Sequence, residues 1–250
     1  MADIGSLLEK ANQTDLIVLP EVFSIRGDDA LLRESAEPLD GDILTIVRTW
    51  ASDRGCWLLA GSVLEKDGNT IYNTSVLIDR GGGIAATYRK IHLFEVHLED
   101  GKVVREADVY SAGKEPVTAD IEGWTCGLSI CYDLRFPELY RHYASQGASL
   151  LFAPSNFTQR TGKDHWDVLV RARAIENQCF MLAPGQCGTH PEKDIETHGH
   201  SMIVGPWGEV LAQADDEVMI LSAVLDPTLL EQTRNRVPAL RHRKLFSDIS

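Results

Sequence analysis

The chain has 250 residues, of which 44% are hydrophobic and 24% charged, and its formal net charge is −13. This acidic balance repels polyphosphates and anionic bilayers, which argues against nucleic acid and membrane partners. No apolar run approaches the roughly 18 residues that span a bilayer, and the first ten residues lack the pattern of an export signal. Five cysteines in such a chain predict free thiols and a cytoplasmic location rather than a disulfide framework.

Helices and strands alternate in the predicted first half of the chain. Apolar residues spaced as on one helix face predict a helix at residues 4–11, and "LIVLPE" predicts a buried strand. A helix at residues 42–53 follows, then the strand "CWLLAGSVLE" and a β-hairpin in "IYNTSVLIDRGGGIAATYRK". Residues 95–116 are polar without periodicity and are predicted to form a loop.

The second half repeats this alternation. The strand "TCGLSI" precedes a helix that starts at Pro137 and ends at Gly147. The strand "SLLFAPS", a helix at residues 165–177, the strand "CFMLAPGQ", the hairpin "GHSMIVGPWGEVLAQ" and the strand "VMILSAVLD" follow. Buried strands between helices predict an α/β architecture with both sheet faces covered. Because no linker or charge block divides the chain, residues 1–250 are predicted to form one domain.

Three chemically active residues follow predicted strands: Glu21 follows "LIVLP", Lys90 follows "AATYR", and Cys131 follows "CGLSI". In α/β sheets, chemistry gathers beyond the carboxyl ends of strands, and a strand-to-helix turn presents its side chain there. Taken singly, each residue has an ordinary alternative, as a solvated acid, a surface lysine or a small buried apolar side chain.

Together the three residues are suited to amide hydrolysis. A thiol of ordinary pKa, about 8.5, is mostly protonated at neutral pH and needs a base to become a nucleophile. Glu21 would take the thiol proton and return it to the departing amine. Lys90 and the backbone N–H of Tyr132 would hold the oxyanion.

Three ordered segments, "LPE", "YRKIHLF" and "CYDLRFPELYR", resemble the signature of the nitrilase superfamily, the carbon–nitrogen hydrolases. The resemblance runs from residue 16 to 244 and implies a four-layer α-β-β-α sandwich with a catalytic triad of Glu21, Lys90 and Cys131. It also implies a further catalytic Glu at Glu106. By resemblance, a small carboxylated amide is hydrolysed to acid and ammonia through a thioester, without metal or cofactor.

Other segments bear on the substrate. "GQCGTHPEK" followed by "HGHSMIVGPWGEVLA" is similar to the deaminated glutathione amidase branch, whereas "YRKIHLFE" is nearer to the ω-amidase branch, which acts on α-ketoglutaramate. The first loop varies between branches and the lysine segment is shared, so the deaminated glutathione amidase branch is favoured and ω-amidase is the alternative.

A carboxylated substrate requires cations in its site. Arg135, four residues after the nucleophile, and Arg173 on the long helix are candidates for carboxylate recognition. For each of them an internal ion pair is an equal alternative. His190 and Lys193 lie on a loop that would close over the substrate.

Three competing interpretations are weaker. His190, His198, His200 and Cys187 lie close in sequence, but they lack a second ligand pair with zinc spacing. The basic tail "RNRVPALRHRK" has no interleaved aromatic residues for nucleic acid stacking. A silent nitrilase-like scaffold is the alternative from another functional class, and the intact catalytic set argues against it.

The resemblance has two structural consequences. Members of the superfamily pair into homodimers or larger assemblies, which predicts a homo-oligomer. They also normally begin with a strand before the helix that starts here near Ile4, so one sheet is expected to lack that strand and to leave an uncovered edge. Lower stability than a version with the strand restored is the expectation.

Overall fold

The computed structural model describes residues 2–11, 13–97, 101, 103–189 and 196–244; His190 and Lys193 lie outside the described residues. The helices are α1 (Ala2–Lys10), α2 (Asp29–Glu34), α3 (Asp42–Arg54), α4 (Pro137–Ser145), α5 (Gln159–Asn177) and α6 (Pro227–Arg236). The strands are β1 (Leu16–Val18), β2 (Trp57–Asp67), β3 (Thr70–Ile78), β4 (Ile84–Arg89), β5 (Glu95–His97), β6 (Val103–Arg105), β7 (Thr118–Ile121), β8 (Trp124–Gly127), β9 (Leu150–Phe152), β10 (Phe180–Ala183), β11 (Cys187–Thr189), β12 (Glu196–His198), β13 (Met202–Val204) and β14 (Val210–Gln213).

Two mixed sheets form the centre of the fold. The first has the order β1-β2-β3-β4 and the second the order β14-β13-β10-β9-β8-β7, and two short hairpins, β5–β6 and β11–β12, lie outside them. The parallel pairs are β1 with β2, β8 with β9, and β9 with β10. Glu21 and Cys131 follow the carboxyl ends of β1 and β8, which belong to these pairs, whereas Lys90 follows β4, which pairs antiparallel with β3.

The two sheets pack face to face, with helices on their outer faces. Along β2 the side chains alternate: Leu58 packs with Val47 of α3, and Leu59 packs in the core that the sheets share. On the far side of the second sheet, α4 and α5 contribute Tyr140 and Trp166, both fully buried or nearly so. The predicted α-β-β-α sandwich is thereby confirmed.

Some predicted elements differ from the structure. Residues 95–116, predicted to be a loop, contain the β5–β6 hairpin and a 3-10 turn at Glu106–Asp108. The segment "VMILSAVLD", predicted to be a strand, forms none, because an extended segment needs a hydrogen-bonded neighbour and the described part of the chain pairs no strand with it. α5 begins six residues earlier than predicted, and α2, α6 and β7 were not predicted.

One edge of the first sheet is open. β1 pairs in parallel with β2 and with no other strand among the described residues.

None of the helices in the described part of the chain is long and apolar enough to cross a membrane.

Candidate active site

Lys90 lies between two carboxylates in the interior. Its Nζ donates to Glu21 Oε1 and to Glu106 Oε1, each at 2.8 Å. The side chains of Lys90 and Glu21 are 0% and 3% exposed, and that of Glu106 is 20% exposed. An ammonium group has three N–H donors, so one remains for a ligand. The structure thus brings together three of the four residues that the sequence predicted to be catalytic.

The Glu21 carboxylate is positioned by a strained turn after β1. Val22 adopts φ 46°, and its N–H donates to Ser62 Oγ at 2.9 Å. Gln186 Nε2 donates to the carbonyl oxygens of Glu21 and Val22 at 2.9 and 3.0 Å. β2 approaches so closely that a Cβ on Gly61 would lie 1.9 Å from the carbonyl oxygen of Leu19. Only glycine fits there, since any side chain would push the Glu21 turn away.

Cys131 opens the 3-10 turn Cys131–Arg135 that links the end of β8 to α4. Its φ is 48°, an unusual left-handed conformation for a residue with a side chain. The Cys131 N–H donates to Pro154 O at 2.9 Å, and the Asn156 N–H donates to the thiol sulfur. Such a turn stores strain where the nucleophile is presented.

Electrostatics keep the thiol protonated in the resting site. Burial raises the pKa of Cys131 well above its ordinary value, Glu21 and Glu106 add to the rise, and Lys90 opposes it. Burial lowers the pKa of Lys90, but the carboxylates of Glu106 and Glu21 outweigh burial and hold it well above its ordinary value. A thiolate would add a second net negative charge to a buried group of two carboxylates and one ammonium. The proton must therefore leave the thiol as the sulfur attacks.

The second carboxylate is held by backbone on its other side. Glu106 Oε2 accepts from the Phe94 N–H at 2.8 Å. The pKa of Glu106 is raised, chiefly by burial and also by Glu21, with Lys90 acting in the opposite direction. Glu106 therefore holds Lys90 as a second carboxylate besides Glu21.

Two of the predicted substrate contacts lie on the nucleophile turn. Tyr132 is half-buried, and its ring meets Phe94 and Phe136 edge-on, with centroids 5.2 and 5.4 Å apart. Both guanidinium nitrogens Nη1 and Nη2 of Arg135 lie 3.3 Å from His165 Nδ1. No acidic partner of Arg135 occurs among the described residues, and its role in binding a substrate carboxylate stays a prediction.

Arg173, the other predicted substrate contact, makes hydrogen bonds within the fold. It is 6% exposed, and its Nε donates to Leu134 O at 2.9 Å while Nη1 pairs with Glu176 Oε1 at 2.8 Å. The guanidinium also lies over the Tyr140 ring. Its Nε and Nη1 thus form an internal brace between α5 and the nucleophile turn, which is the alternative that the sequence left open for this residue.

Sequence reasoning missed two side chains that shape the site. Asn73, fully buried in the middle of β3, donates its Nδ2 to Glu21 Oε1 at 2.9 Å. Gln186 holds the Glu21 turn, and although its segment was noted, its role was not. An apolar strand pattern around a single Asn was the available signal, because a buried amide requires a partner.

The histidines considered as zinc ligands are otherwise engaged. The rings of His198 and His200 stack with centroids 4.2 Å apart, and His198 Nδ1 lies 2.8 Å from Gln159 Oε1. Within residues 2–11, 13–97, 101, 103–189 and 196–244, no group of three His, Cys, Asp or Glu side chains is arranged to hold a metal.

The α-β-β-α sandwich and the buried cysteine beside a Glu–Lys–Glu cluster define a class of carbon–nitrogen bond hydrolases. Comparison with known proteins agrees: the carbon–nitrogen hydrolase family matches residues 4–235. The chain therefore belongs to the carbon–nitrogen hydrolase family and is a hydrolase of carbon–nitrogen bonds other than peptide bonds.

Individual relatives refine this similarity. The chain is 42% identical over 234 residues to a deaminated glutathione amidase of Synechocystis, covering 92% of this chain and 86% of the relative. The crystal structure of the Caenorhabditis elegans NitFhit protein matches with a TM-score of 0.89 and 35% identity, covering 97% of this chain but only 60% of that one. Saccharomyces cerevisiae Nit3, of branch 10 of the nitrilase superfamily, matches with a TM-score of 0.84 and 30% identity, covering 95% of this chain and 86% of that one.

Proposed function

We propose that this protein is a cysteine-dependent amidase that hydrolyses deaminated glutathione. The observation that carries the proposal is the Lys90 ammonium, held at 2.8 Å by both Glu21 and Glu106 beside the Cys131 thiol. Similarity to relatives that bear the name deaminated glutathione amidase supports the choice of substrate.

In the first half of the reaction, Cys131 Sγ attacks the amide carbon and its proton passes to Glu21. The third N–H of Lys90 and the Tyr132 N–H stabilise the oxyanion. The carbon–nitrogen bond then breaks as Glu21 returns the proton to the amine, and a thioester remains on Cys131.

In the second half, Glu21 takes a proton from a water molecule that attacks the thioester carbon. The carbon–sulfur bond breaks, the sulfur recovers its proton from Glu21, and the acid leaves. Glu106 holds Lys90 in place throughout without exchanging a proton.

The leaving group corrects one expectation from sequence. Deaminated glutathione is an α-ketoglutaryl group joined through an amide to cysteinylglycine, so its hydrolysis releases α-ketoglutarate and the dipeptide. Ammonia leaves only when the substrate is a primary amide such as α-ketoglutaramate. Both substrates share one acyl group, and Arg135 is suited to bind its carboxylate.

The test measures α-ketoglutarate release from deaminated glutathione and from α-ketoglutaramate side by side. We expect higher kcat/KM for deaminated glutathione, and a fall of at least about 1,000-fold in Cys131→Ala. Cys56→Ala, at a buried thiol in the loop before β2, is the matched control and should retain activity. Faster hydrolysis of α-ketoglutaramate would favour an ω-amidase, retained turnover in Cys131→Ala would refute the cysteine mechanism, and no turnover by the wild type would favour a scaffold.

The proposal extends to assembly and location. We propose a homo-oligomer in the cytoplasm, on the basis of the family resemblance and of five cysteines that are all free thiols. Analytical ultracentrifugation would test whether the protein is a homo-oligomer, and a single monomeric species at micromolar concentration would contradict this.

A further inference from the structure

Arg26 is a half-buried cation five residues after Glu21 that the mechanism above does not use. Its Nη2 donates to Thr197 Oγ1 at 3.0 Å, and its Nε is buried without a hydrogen-bond partner in the part of the chain that the structure describes. No carboxylate pairs with it among those residues, although the chain carries a net charge of −13. Burial lowers its pKa, and Cys187 acts in the opposite direction. A buried Nε–H without an acceptor is costly unless a ligand supplies one.

The position of Arg26 connects it to the catalytic cluster. Arg26 lies five residues after Glu21 in the sequence. Gln186, next to Cys187, donates hydrogen bonds to the carbonyl oxygens of Glu21 and Val22 in the Glu21 turn. The Gln186 N–H in turn donates to Ser155 O at 2.9 Å. Ser155 precedes Asn156, whose N–H donates to the Cys131 sulfur. The guanidinium contacts the β11–β12 hairpin, at Thr197 and near Gly188, and this hairpin begins directly after Gln186.

The chemistry of the step assigns a side of the scissile bond to each arginine. Glu21 protonates the leaving amine, so the leaving group must lie towards the Glu21 turn, which carries Arg26. The acyl group stays bonded to Cys131, whose turn carries Arg135. A substrate with a carboxylate at each end would then meet one guanidinium on each side.

We propose that Arg26 binds the carboxylate of the leaving group, the C-terminal glycine carboxylate of cysteinylglycine. This proposal rests on the proposed function and deepens it, since it makes Arg26 the residue that distinguishes a dipeptide amide from a primary amide. α-Ketoglutaramate has the same acyl group but loses ammonia, so Arg26 has nothing to bind in it.

The test compares wild type, Arg26→Gln and Arg26→Lys on both substrates. We expect Arg26→Gln to lower kcat/KM for deaminated glutathione by about 10- to 100-fold, the range of a charge-assisted hydrogen bond, and to leave α-ketoglutaramate within about twofold. Arg26→Lys should recover part of the loss. Arg48→Gln, at a half-buried arginine of α3 whose Nε donates to Gly82 O, is the matched control and should change neither substrate.

A third substrate removes the anion instead of the cation. With the wild type, deaminated glutathione whose terminal carboxylate is converted to an amide should lose as much kcat/KM as Arg26→Gln loses with the parent substrate. On this amidated substrate, Arg26→Gln should lower kcat/KM no further. Equal losses on both parent substrates, or additive losses on the amidated one, would overturn the role of Arg26 alone. Failure of the wild type to hydrolyse deaminated glutathione would instead refute the proposed function, and this inference with it.

Discussion

Tyr88 Oη donates a 2.7 Å hydrogen bond to Asp133 Oδ2, and both side chains are fully buried. The other oxygen of Asp133 accepts from the His92 N–H at 3.0 Å and lies 2.7 Å from His92 Nδ1. Tyr88 and His92 flank Lys90, and Asp133 lies two residues after Cys131. One carboxylate thus joins the strand that presents the lysine to the turn that presents the thiol.

Asp133→Asn should uncouple these two segments. The amide replaces one carboxylate oxygen with a donor that faces other donors, so we expect a loss of about 2–4 kcal/mol in the free energy of unfolding. The kcat should fall as well, because Lys90 and Cys131 lose their common anchor. Urea denaturation and steady-state kinetics check both. Asp53→Asn, on the exposed face of α3, should behave as wild type, and a similar effect at both sites would contradict this role.

This link explains why the segments "YRKIHLF" and "CYDLRFPELYR" are informative together. Glu21, Lys90 and Cys131 were predictable because each follows a strand, and the end of a strand is readable from local pattern. Glu106 was identified only by resemblance, since a 3-10 turn after a short hairpin has no periodicity. Asn73 acts through a partner far along the chain, which no local pattern shows.

Arg173 is a residue whose contacts could not be predicted from local sequence. Its charge and its place on the long helix suggested substrate binding, but the contacts with Leu134 and Glu176 that decide its role are tertiary. The segment at residues 218–226 likewise has the composition of a strand, and pairing, not composition, decides whether it becomes one.

Gly61→Ala should be disruptive for a steric reason. The new Cβ would lie 1.9 Å from Leu19 O and 2.1 Å from Pro20 O, both backbone atoms next to Glu21. We expect a loss of about 3 kcal/mol in the free energy of unfolding, with reduced kcat in the protein that remains folded. Gly5→Ala is the control, since its Cβ would lie 3.7 Å from Trp50, an ordinary contact. Wild-type stability of Gly61→Ala would show that the strand and turn are not in this close contact.

Glu106→Gln should separate stability from activity. The pKa of Glu106 is raised by burial and by Glu21. An acid with a raised folded pKa contributes stability that is present below its unfolded pKa, about 4.3, and is lost as pH rises through the folded pKa. At pH 7 the ionised form is therefore unfavourable in itself, but both Glu106 oxygens accept hydrogen bonds, from Lys90 Nζ and the Phe94 N–H, so the amide turns its Nε2 towards one of these donors. We expect the urea midpoint to change little, because the lost charge offsets the lost hydrogen bond, and kcat to fall at least about tenfold, because Lys90 is held less firmly; an unchanged kcat would contradict this.

The open edge of β1 leads to a prediction about stability. Among the described residues, β1 is paired along one edge, with β2. Val218 and Val224 are 69% and 89% exposed in the segment "VMILSAVLD", which forms no strand. A version extended at its N-terminus by an alternating apolar strand should satisfy unpaired backbone groups and raise the urea midpoint. The control is a Gly/Ser extension of equal length. Equal midpoints for the two extensions would refute the prediction.

The raised pKa of Cys131 predicts the pH profile of the reaction. If the enzyme used a preformed thiolate of ordinary pKa, kcat/KM would rise through about pH 8.5. Burial and the two carboxylates instead keep the thiol protonated, and in the proposed mechanism Glu21 accepts the proton only during attack. Lys90, with its pKa well above the ordinary value, stays cationic over the same range. We therefore expect kcat/KM for α-ketoglutarate release to stay level between about pH 7 and 9.5, and a limb rising near pH 8.5 would show that the thiolate forms before the substrate is attacked.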